Sequence, residues 1–504
     1  MSDHDKIIWW REKPVWVMLF LGFSAGIPIL LIFSSLSLWL TEAGVKKSAV
    51  TYFSWAALAY SFKFIWAPLV DKLPLPLLST WLGRRRGWLL FAQLAVIGSI
   101  IWMGSTDPQY SLTAMAIATI ALGFSSATQD VVIDAFRIES ANPRLQAMLS
   151  STYVAGYRTG MIVAGAGALF LAESLGSIQG SYSYQAWRWT YYCMAAVMSV
   201  GIVTTLLISE PDTSNSGDNY PYSAVDYTRF LAVFVLSLLV LVGVFLIVPS
   251  TPQFFDGYAQ TLFAFLFAAV KFCVALVVAF LSARLCLRLG FVNAQMVHEG
   301  YVAPITDFFK RYGRLAIWVL MLVGFYRVSD IVMGIITNVF YADMGYTKTQ
   351  IASITKAFGV IVTIAGSFLG GILALKIGVM RVLMLGAILV AFTNLLFVWL
   401  AGVEPKTTYL ALVIIADNLA QGVAIAAFIA WLSSLTNISF TATQYAIFSS
   451  LMTLFPKLLG GYSGTMVEAI GYSQFFLFAS LLGVPVIVLI YFLQKKLINE
   501  ETKI

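Results

Sequence analysis

Two aspartates, Asp130 and Asp134, interrupt a long apolar stretch of the sequence. They lie in residues 124–139, which read FSSATQDVVIDAFRIE. A spacing of four places both carboxylates on one face of a helix. A charged aspartate near the middle of a membrane helix costs about 2.5–3.5 kcal/mol on insertion scales, so such residues are functional candidates. Burial and mutual repulsion favour proton binding by the pair. We expect Asp130 to carry the proton, and Asp134 either to share it or to pair with Arg137.

The composition predicts a polytopic α-helical membrane protein. Of 504 residues, 60% are hydrophobic and only 11% are charged, which is too apolar for a soluble chain. The apolar runs are continuous over about 20 residues, as membrane helices require, and do not alternate as in a β-barrel. Fourteen spans are expected: 16–40, 49–70, 87–104, 109–136, 145–172, 189–209, 230–250, 260–286, 314–340, 349–375, 378–401, 407–434, 442–468 and 474–494.

The distribution of basic residues predicts that both termini are cytoplasmic. With that orientation most of the 31 Lys and Arg residues fall in cytoplasmic loops and tails, as the positive-inside rule requires. The net charge of +7 therefore reflects topology, and we expect no nucleic-acid partner. The three cysteines share no metal-ligand spacing, and no nucleophile–base pair or phosphate-binding loop is visible. We expect no metal, no cofactor and no enzymatic activity.

Internal similarity predicts two six-helix bundles. With an offset of 299 residues, Ser150 aligns with Ser449, and Arg158 aligns with Lys457. We therefore divide the chain into a first bundle (1–209), a middle region (210–313) and a second bundle (314–504). The middle region contains a cytoplasmic linker, two extra spans and a basic loop. Parallel six-span repeats joined in this way resemble secondary transporters of the major-facilitator type.

A candidate latch lies between the second and third spans. Asp71 ends the second span and is followed by Arg84, Arg85 and Arg86. We expect the acid to pair with one of these arginines at the cytoplasmic face and to form a gate together with Arg137. The alternative is that the arginines only set the topology.

Polar residues inside the spans could bind a substrate. Fixed cations in a central cavity suit an anionic ligand, and amides and aromatic rings suit sugars and peptides. Two alternatives stay open. Arg327 could pair with Asp330 instead of a substrate, and Lys63 could simply extend its side chain to the membrane–water interface. The candidate binding residues are Arg158, Lys356, Lys457, Arg327, Gln129, Asp417, Asn418, Gln421, Lys63 and Tyr157.

Histidine is missing from the predicted spans. His4 lies in the N-terminal tail and His298 in a cytoplasmic loop. A proton-driven transporter would therefore need a carboxylate to carry the proton. The candidates are Asp130, Asp134, Asp330 and Asp417.

Several stretches resemble the AmpG muropeptide permeases of Gram-negative bacteria. They include FKFIWAPLVD, GRRRGWLL, SATQDVVIDAFRIE, GYRTGM, DNLAQG and FTATQYA, which occur in this order. The resemblance implies a monomeric transporter of the bacterial inner membrane that uses the proton-motive force to import N-acetylglucosaminyl-1,6-anhydro-N-acetylmuramic acid and its peptide-bearing forms. Import would serve peptidoglycan recycling and β-lactamase induction. On the family pattern Asp130 and Asp134 match carboxylates associated with proton coupling.

The resemblance leaves two other functions open. A related branch of the same superfamily carries acetyl-CoA, which is also bulky and anionic. A non-transporting membrane assembly protein is the second alternative, although such a protein would not need acids and cations in both bundles.

Overall fold

The chain is helical throughout the part that the computed structural model describes. These residues are 9–46, 53, 56, 59–177, 181–211, 221–248, 252, 257–347, 350–460 and 463–501. Within them, twelve helical segments are long and apolar enough to cross a membrane. The predicted all-helical membrane fold is confirmed at this level. A count of fourteen spans stays a prediction.

The first half of the chain contains ten helices within the described residues. The second predicted span is interrupted, because a 3₁₀ turn at Lys63–Ile65 separates two short helices. The helices are α1 (Lys13–Ile32), α2 (Ser34–Glu42), α3 (Ala59–Phe62), α4 (Ala67–Lys72), α5 (Leu78–Leu82), α6 (Arg84–Gly104), α7 (Leu112–Glu139), α8 (Gln146–Ile162), α9 (Ala168–Ser174) and α10 (Tyr184–Leu207).

The middle region forms a hairpin and a short amphipathic helix. In α11 only Phe230 and Val233 are buried, so most of the hairpin faces away from the bundles. The helices are α11 (Ala224–Ile247), α12 (Gly257–Arg288), α13 (Ala294–Val297) and α14 (Ala303–Tyr312). We call the end of the molecule that carries α13 and α14 the linker end.

The second half begins after Gly313, whose positive φ of 51° ends α14. A π-helical segment, Ile351–Phe358, precedes α17. The helices are α15 (Leu315–Phe325), α16 (Val328–Asp343), α17 (Gly359–Ile377), α18 (Val379–Ala401), α19 (Thr407–Leu435), α20 (Thr441–Gly460), α21 (Ser463–Leu481) and α22 (Gly483–Glu501).

Glycines allow close packing in both halves. A side chain at Gly156 of α8 would collide with the carbonyl oxygen of Leu19 in α1, and one at Gly422 of α19 would collide with the carbonyl oxygen of Thr363 in α17. Small residues at such contacts let membrane helices approach until their backbones touch.

The two halves meet directly between α8 and α17. The hydroxyl of Ser151 donates a 2.7 Å hydrogen bond to the carbonyl oxygen of Ser367, and a side chain at Gly371 would collide with Ser151. Helices from both halves therefore pack tightly here, which fixes the distance between the polar groups that each half carries.

Candidate functional site

Asp134 is the centre of a buried ion-pair network. Its Oδ1 accepts a hydrogen bond from Arg137 at 3.1 Å, and its Oδ2 lies 3.5 Å from the Nζ of Lys63. Arg137 also donates to the hydroxyl of Ser150 at 2.9 Å. The carboxylate of Asp134 is thus balanced by two cations. Lys63, a candidate substrate contact, is only 5% exposed and occupies this internal pair.

Asp130 lies one turn earlier on α7 in a different environment. It is 9% exposed and has no ion-pair partner among the residues that the structure describes. Three phenols surround it within electrostatic range, those of Tyr60, Tyr153 and Tyr157. A buried carboxylate without a paired cation is unstable in its ionised form, and protonation removes the unpaired charge. The two aspartates therefore differ in their ion pairing, although their positions on one helix face give no reason to distinguish them.

The network around Asp134 reaches the second half of the chain. The guanidinium of Arg137 lies over the ring of Tyr445 in α20, 5.1 Å from its centroid, and over the ring of Tyr153, 5.8 Å from its centroid. Cations over aromatic faces are attracted by the ring quadrupole. A change of charge near Asp134 would consequently act on a contact between the two halves.

A second polar cluster, at the linker end, contains Asp71. The Oδ1 of Asp71 pairs with Arg85 at 2.9 Å, and Arg85 also pairs with Glu139 at 2.6 Å. Arg85 is buried, so these bonds replace its hydration. Sequence reasoning missed Glu139, although it is the last residue of the stretch that contains both aspartates.

Asp71 also binds the start of α20, in the opposite half. Its Oδ2 accepts hydrogen bonds from the backbone N–H of Thr443 at 2.8 Å and from the Thr443 hydroxyl at 2.7 Å. Its Oδ1 accepts a third from the N–H of Ala442 at 3.2 Å. The first turn of a helix has unpaired N–H groups and a positive dipole end, which a carboxylate stabilises. The halves are therefore joined at the linker end.

The neighbouring arginines make different contacts. Arg84 donates to the carbonyl oxygen of Asp71 at 3.3 Å and lies 3.8 Å from Glu139. Arg86 instead donates to the carbonyl oxygens of Thr205 and Leu206, at the end of α10. Of the three arginines predicted for the latch, Arg84 and Arg85 contact Asp71, and Arg86 binds a helix end within its own half.

The cations in the spans fall into paired and unpaired groups. Arg327 pairs with Asp330 at 2.6 Å, as the internal-pairing alternative expects. Lys457 donates to the hydroxyl of Ser61 at 3.2 Å, across the two halves. Arg158 has no ion pair in the described parts of the chain and lies within electrostatic range of Arg327. Lys356 belongs to the π-helical segment, and its side chain lies outside the described residues.

The amides and the acid of α19 form hydrogen bonds within their own half. Gln421 donates to Asp417 at 2.7 Å. Asn418 accepts from the hydroxyl of Thr363 at 2.7 Å. In the first half, Gln129 is buried and donates to Ser24 at 3.4 Å. Gln421 borders a cavity that Arg327 and Asp330 also line.

Comparison with known proteins agrees with this architecture. A family model described as Major Facilitator Superfamily matches residues 17–325. Two solved structures share the fold: the proton:xylose symporter XylE (TM-score 0.59, 14% identity, 95% of this chain and 94% of that chain) and the Escherichia coli fucose:proton symporter FucP (TM-score 0.58, 10% identity, 95% and 97%).

Curated relatives extend over nearly the whole chain. A protein of Rickettsia felis named AmpG 4 is 29% identical over 486 residues, which are 96% of this chain and 98% of that protein. The anhydromuropeptide permease of Escherichia coli K12 is 29% identical over 477 residues, which are 94% of this chain and 78% of that protein. The resemblance to AmpG permeases is confirmed, and these relatives indicate a transporter rather than an enzyme, as the sequence predicts. The chain belongs to the major facilitator superfamily.

Proposed function

We propose that this protein imports anhydromuropeptides, namely N-acetylglucosaminyl-1,6-anhydro-N-acetylmuramic acid and its peptide-bearing forms, together with protons. The observation that carries the proposal is the similarity to a protein named anhydromuropeptide permease over 94% of the chain. The imported material would be recycled into peptidoglycan and would induce β-lactamase where the host has that system.

The proposed topology has fourteen spans with both termini in the cytoplasm of a bacterium. The first bundle (1–209) and the second bundle (314–504) would enclose the substrate cavity, and the middle region (210–313) would add a membrane hairpin and a cytoplasmic linker. The distribution of Lys and Arg supports this orientation. The linker end is then cytoplasmic, and its closure by Asp71 corresponds to a transporter whose cytoplasmic exit is shut. We propose that the monomer in the inner membrane is the functional unit.

Proton coupling would use the contrast between Asp130 and Asp134. Asp130 has no ion pair among the described residues and would bind the proton from the outward-open cavity. Lys63 lies beside both carboxylates and acts on Asp130 while pairing with Asp134. Neutralising Asp130 would release Lys63 to interact fully with Asp134, which weakens the hold of Asp134 on Arg137. Since Arg137 contacts Tyr445 in the other half, this step would loosen the cytoplasmic closure.

Substrate binding would use cations that have no ion pair among the described residues or that contact the opposite half of the chain. Muropeptides carry carboxylates, and a fixed guanidinium binds a carboxylate through two parallel hydrogen bonds. Arg158 is the strongest candidate, because it has no ion pair in the described part of the chain and lies near Arg327. Lys457, which contacts Ser61 across the halves, is the second. Protons are the proposed coupling ions, and no cofactor is required.

Uptake into proteoliposomes tests the proposal. Wild-type protein with an inward proton gradient should accumulate labelled anhydromuropeptide, and acetyl-CoA in excess should not compete. Asp130→Asn should retain exchange of labelled for unlabelled substrate and lose gradient-driven accumulation. Undiminished accumulation by Asp130→Asn would show that Asp130 does not couple proton movement to transport. Absence of muropeptide uptake by the wild type, with acetyl-CoA taken up instead, would refute the substrate assignment.

A further inference from the structure

The second half of the chain contains a buried carboxylate that the coupling step above does not use. Asp417 lies on α19 and is 5% exposed. Its Oδ2 accepts a hydrogen bond from Gln421 at 2.7 Å, and its Oδ1 accepts one from the hydroxyl of Thr393 in α18 at 3.4 Å. Both donors are neutral. Among the side chains that the structure describes, no cation pairs with Asp417.

The arginine that pairs with Asp330, a neighbour of Asp417, is already neutralised. Arg327 pairs with Asp330 at 2.6 Å, so it offers little charge to a second acid. Asp330 lies within electrostatic range of Asp417 and repels an ionised carboxylate there. The titratable groups within electrostatic range of Asp417 are Asp330 and Tyr341, both on α16. Arg327 and Arg158 lie one step further out, within range of Asp330. The side chain of Lys356, on the π-helical segment packed against α19, lies outside the described residues.

Asp417 has a route to the cavity. Gln421, which hydrogen-bonds Asp417, lines the cavity together with Arg327, Asp330, Tyr326 and Ser329. Asn394 donates a hydrogen bond to Ser329 of the cavity lining. Its buried Oδ1 has no hydrogen-bond partner in the described structure. A cavity that reaches a hydrogen-bond partner of a buried acid is a place from which a water molecule could deliver a proton.

Asp417 and Asp130 lie at different depths. Both α7 and α19 run toward the linker end. At a rise of about 1.5 Å per residue, Asp130 lies about 14 Å before the end of α7 at Glu139, whereas Asp417 lies about 27 Å before the end of α19 at Leu435. Asp417 is therefore on the side of the membrane that faces away from the linker end.

We propose that Asp417 is a second proton-binding site, and that the second half of the transporter carries its own proton with each substrate. The claim that this proton moves with the substrate rests on the proposed function. The claim that Asp417 binds a proton does not. With the cytoplasmic exit closed, Asp417 would take its proton from water in the cavity that Gln421 borders, nearer the outer face, with Gln421 holding the carboxyl group by its hydrogen bond. Asp130 would take a proton nearer the inner face. Each half would then bear one unpaired carboxylate that must be neutral when the halves move.

Two measurements test the proposal. The first labels purified wild-type protein in liposomes with dicyclohexylcarbodiimide, which reacts with protonated carboxyl groups in apolar surroundings, followed by mass spectrometry between pH 5 and 9. Asp417 should be labelled, and labelling should fall as the pH rises. Asp343, a carboxylate of the same half that accepts a hydrogen bond from Tyr472, is the matched control and should stay unlabelled. Failure to label Asp417 at any pH overturns the proposal.

The second measurement is the proton-to-muropeptide ratio, obtained from the gradient at which net flux vanishes. Asp417→Asn should lower the ratio by one proton, and Asp417→Glu should restore it, which a purely structural role would not require. An unchanged ratio in Asp417→Asn overturns the role in coupling. If the wild type moves no protons with muropeptide, the proposed function fails, and the labelling experiment still decides whether Asp417 binds a proton.

Discussion

The carboxylate of Asp71, in the first half of the chain, accepts a 2.8 Å hydrogen bond from the backbone N–H of Thr443, in the second half. The two residues are 372 positions apart in the sequence, yet the acid occupies the position of a helix-capping residue. Because the capping acid belongs to the opposite half of the chain, it binds the start of α20 only while the halves are together at the linker end.

Asp71→Asn should favour opening at the linker end. The change removes the pair with Arg85 and weakens the bonds to α20, and a hydrogen bond to a charged group contributes about 1.5–3 kcal/mol. We expect cysteines introduced at the linker end of α8 and α17 to react faster with a membrane-impermeant maleimide in inside-out vesicles, in which the proposed topology exposes that end. Asp226→Asn is the matched control, because Asp226 caps its own helix, α11. Equal reaction rates in the two variants would contradict the role of Asp71.

Lys63→Met should uncouple transport from the proton gradient. Without the cation, ionised Asp130 loses its nearest compensating charge, so release of the proton becomes less favourable. We expect gradient-driven accumulation to fall roughly tenfold, equivalent to about 1.4 kcal/mol, while substrate exchange persists and Lys63→Arg retains coupling. Lys271→Met serves as the control, since Lys271 donates to Val248 within the hairpin. Wild-type accumulation by Lys63→Met would argue against the network.

Arg158→Gln should weaken substrate binding rather than folding. Loss of one charge-assisted contact to a carboxylate would raise KM by roughly tenfold, and thermal stability should change little because Arg158 has no ion pair in the described chain. Initial uptake rates over a range of muropeptide concentrations measure KM. Arg188→Gln, which removes a contact to Tyr192, is the control. An unchanged KM in Arg158→Gln would exclude a substrate contact.

Asp307 should attach α14 to the second half in a pH-dependent manner. Burial by itself raises the pKa of Asp307, but hydrogen bonds from Gln444 and Asn437 and the charge of Arg311 outweigh it, so the pKa lies below its usual value. A lowered pKa means that the stabilisation is present above about pH 4 and is lost as the pH falls below it. Because the side chains of Arg311 and Asp307 remain 32% and 23% exposed, solvent screens their interaction, and we expect about 0.2–1 kcal/mol.

The comparison of Asp307→Asn with the wild type measures this effect. The thermal unfolding temperatures should differ at pH 7 and converge near pH 3. A difference that persists undiminished at pH 3 would contradict an electrostatic attachment. Asp226→Asn, on the neighbouring hairpin, controls for a general effect of removing a surface acid.

Gly156→Ala should destabilise the first bundle. The added methyl group would collide with the backbone of Leu19 in α1, and a backbone atom cannot move aside as a flexible side chain can. Overpacking typically costs about 1–3 kcal/mol, which should appear as a lower unfolding temperature in detergent. Gly98→Ala in α6 is the control, because a side chain there meets open space. Equal stability of both variants would show that α1 and α8 can separate without cost.

The sequence alone determined the class of the protein and the positions of its unusual charges. Continuous apolar runs required membrane helices, because backbone polar groups must be satisfied within lipid, and a spacing of four required Asp130 and Asp134 to share a helix face. The arginines after Asp71 and the pairs Asp134–Arg137 and Arg327–Asp330 were also visible, since their partners are close in sequence or follow a short loop.

The tertiary structure decided which charges find partners. Lys63 pairs with Asp134 rather than Asp130, Asp71 caps a helix of the other half, and Arg86 binds the end of α10. These contacts depend on how broken helices and close glycine packing bring distant segments together, so the spacing of residues in the sequence does not predict them. Within the described residues, two aspartates that are equivalent by sequence thus become one paired and one unpaired carboxylate, because Lys63 and Arg137 both form their ion pairs with Asp134.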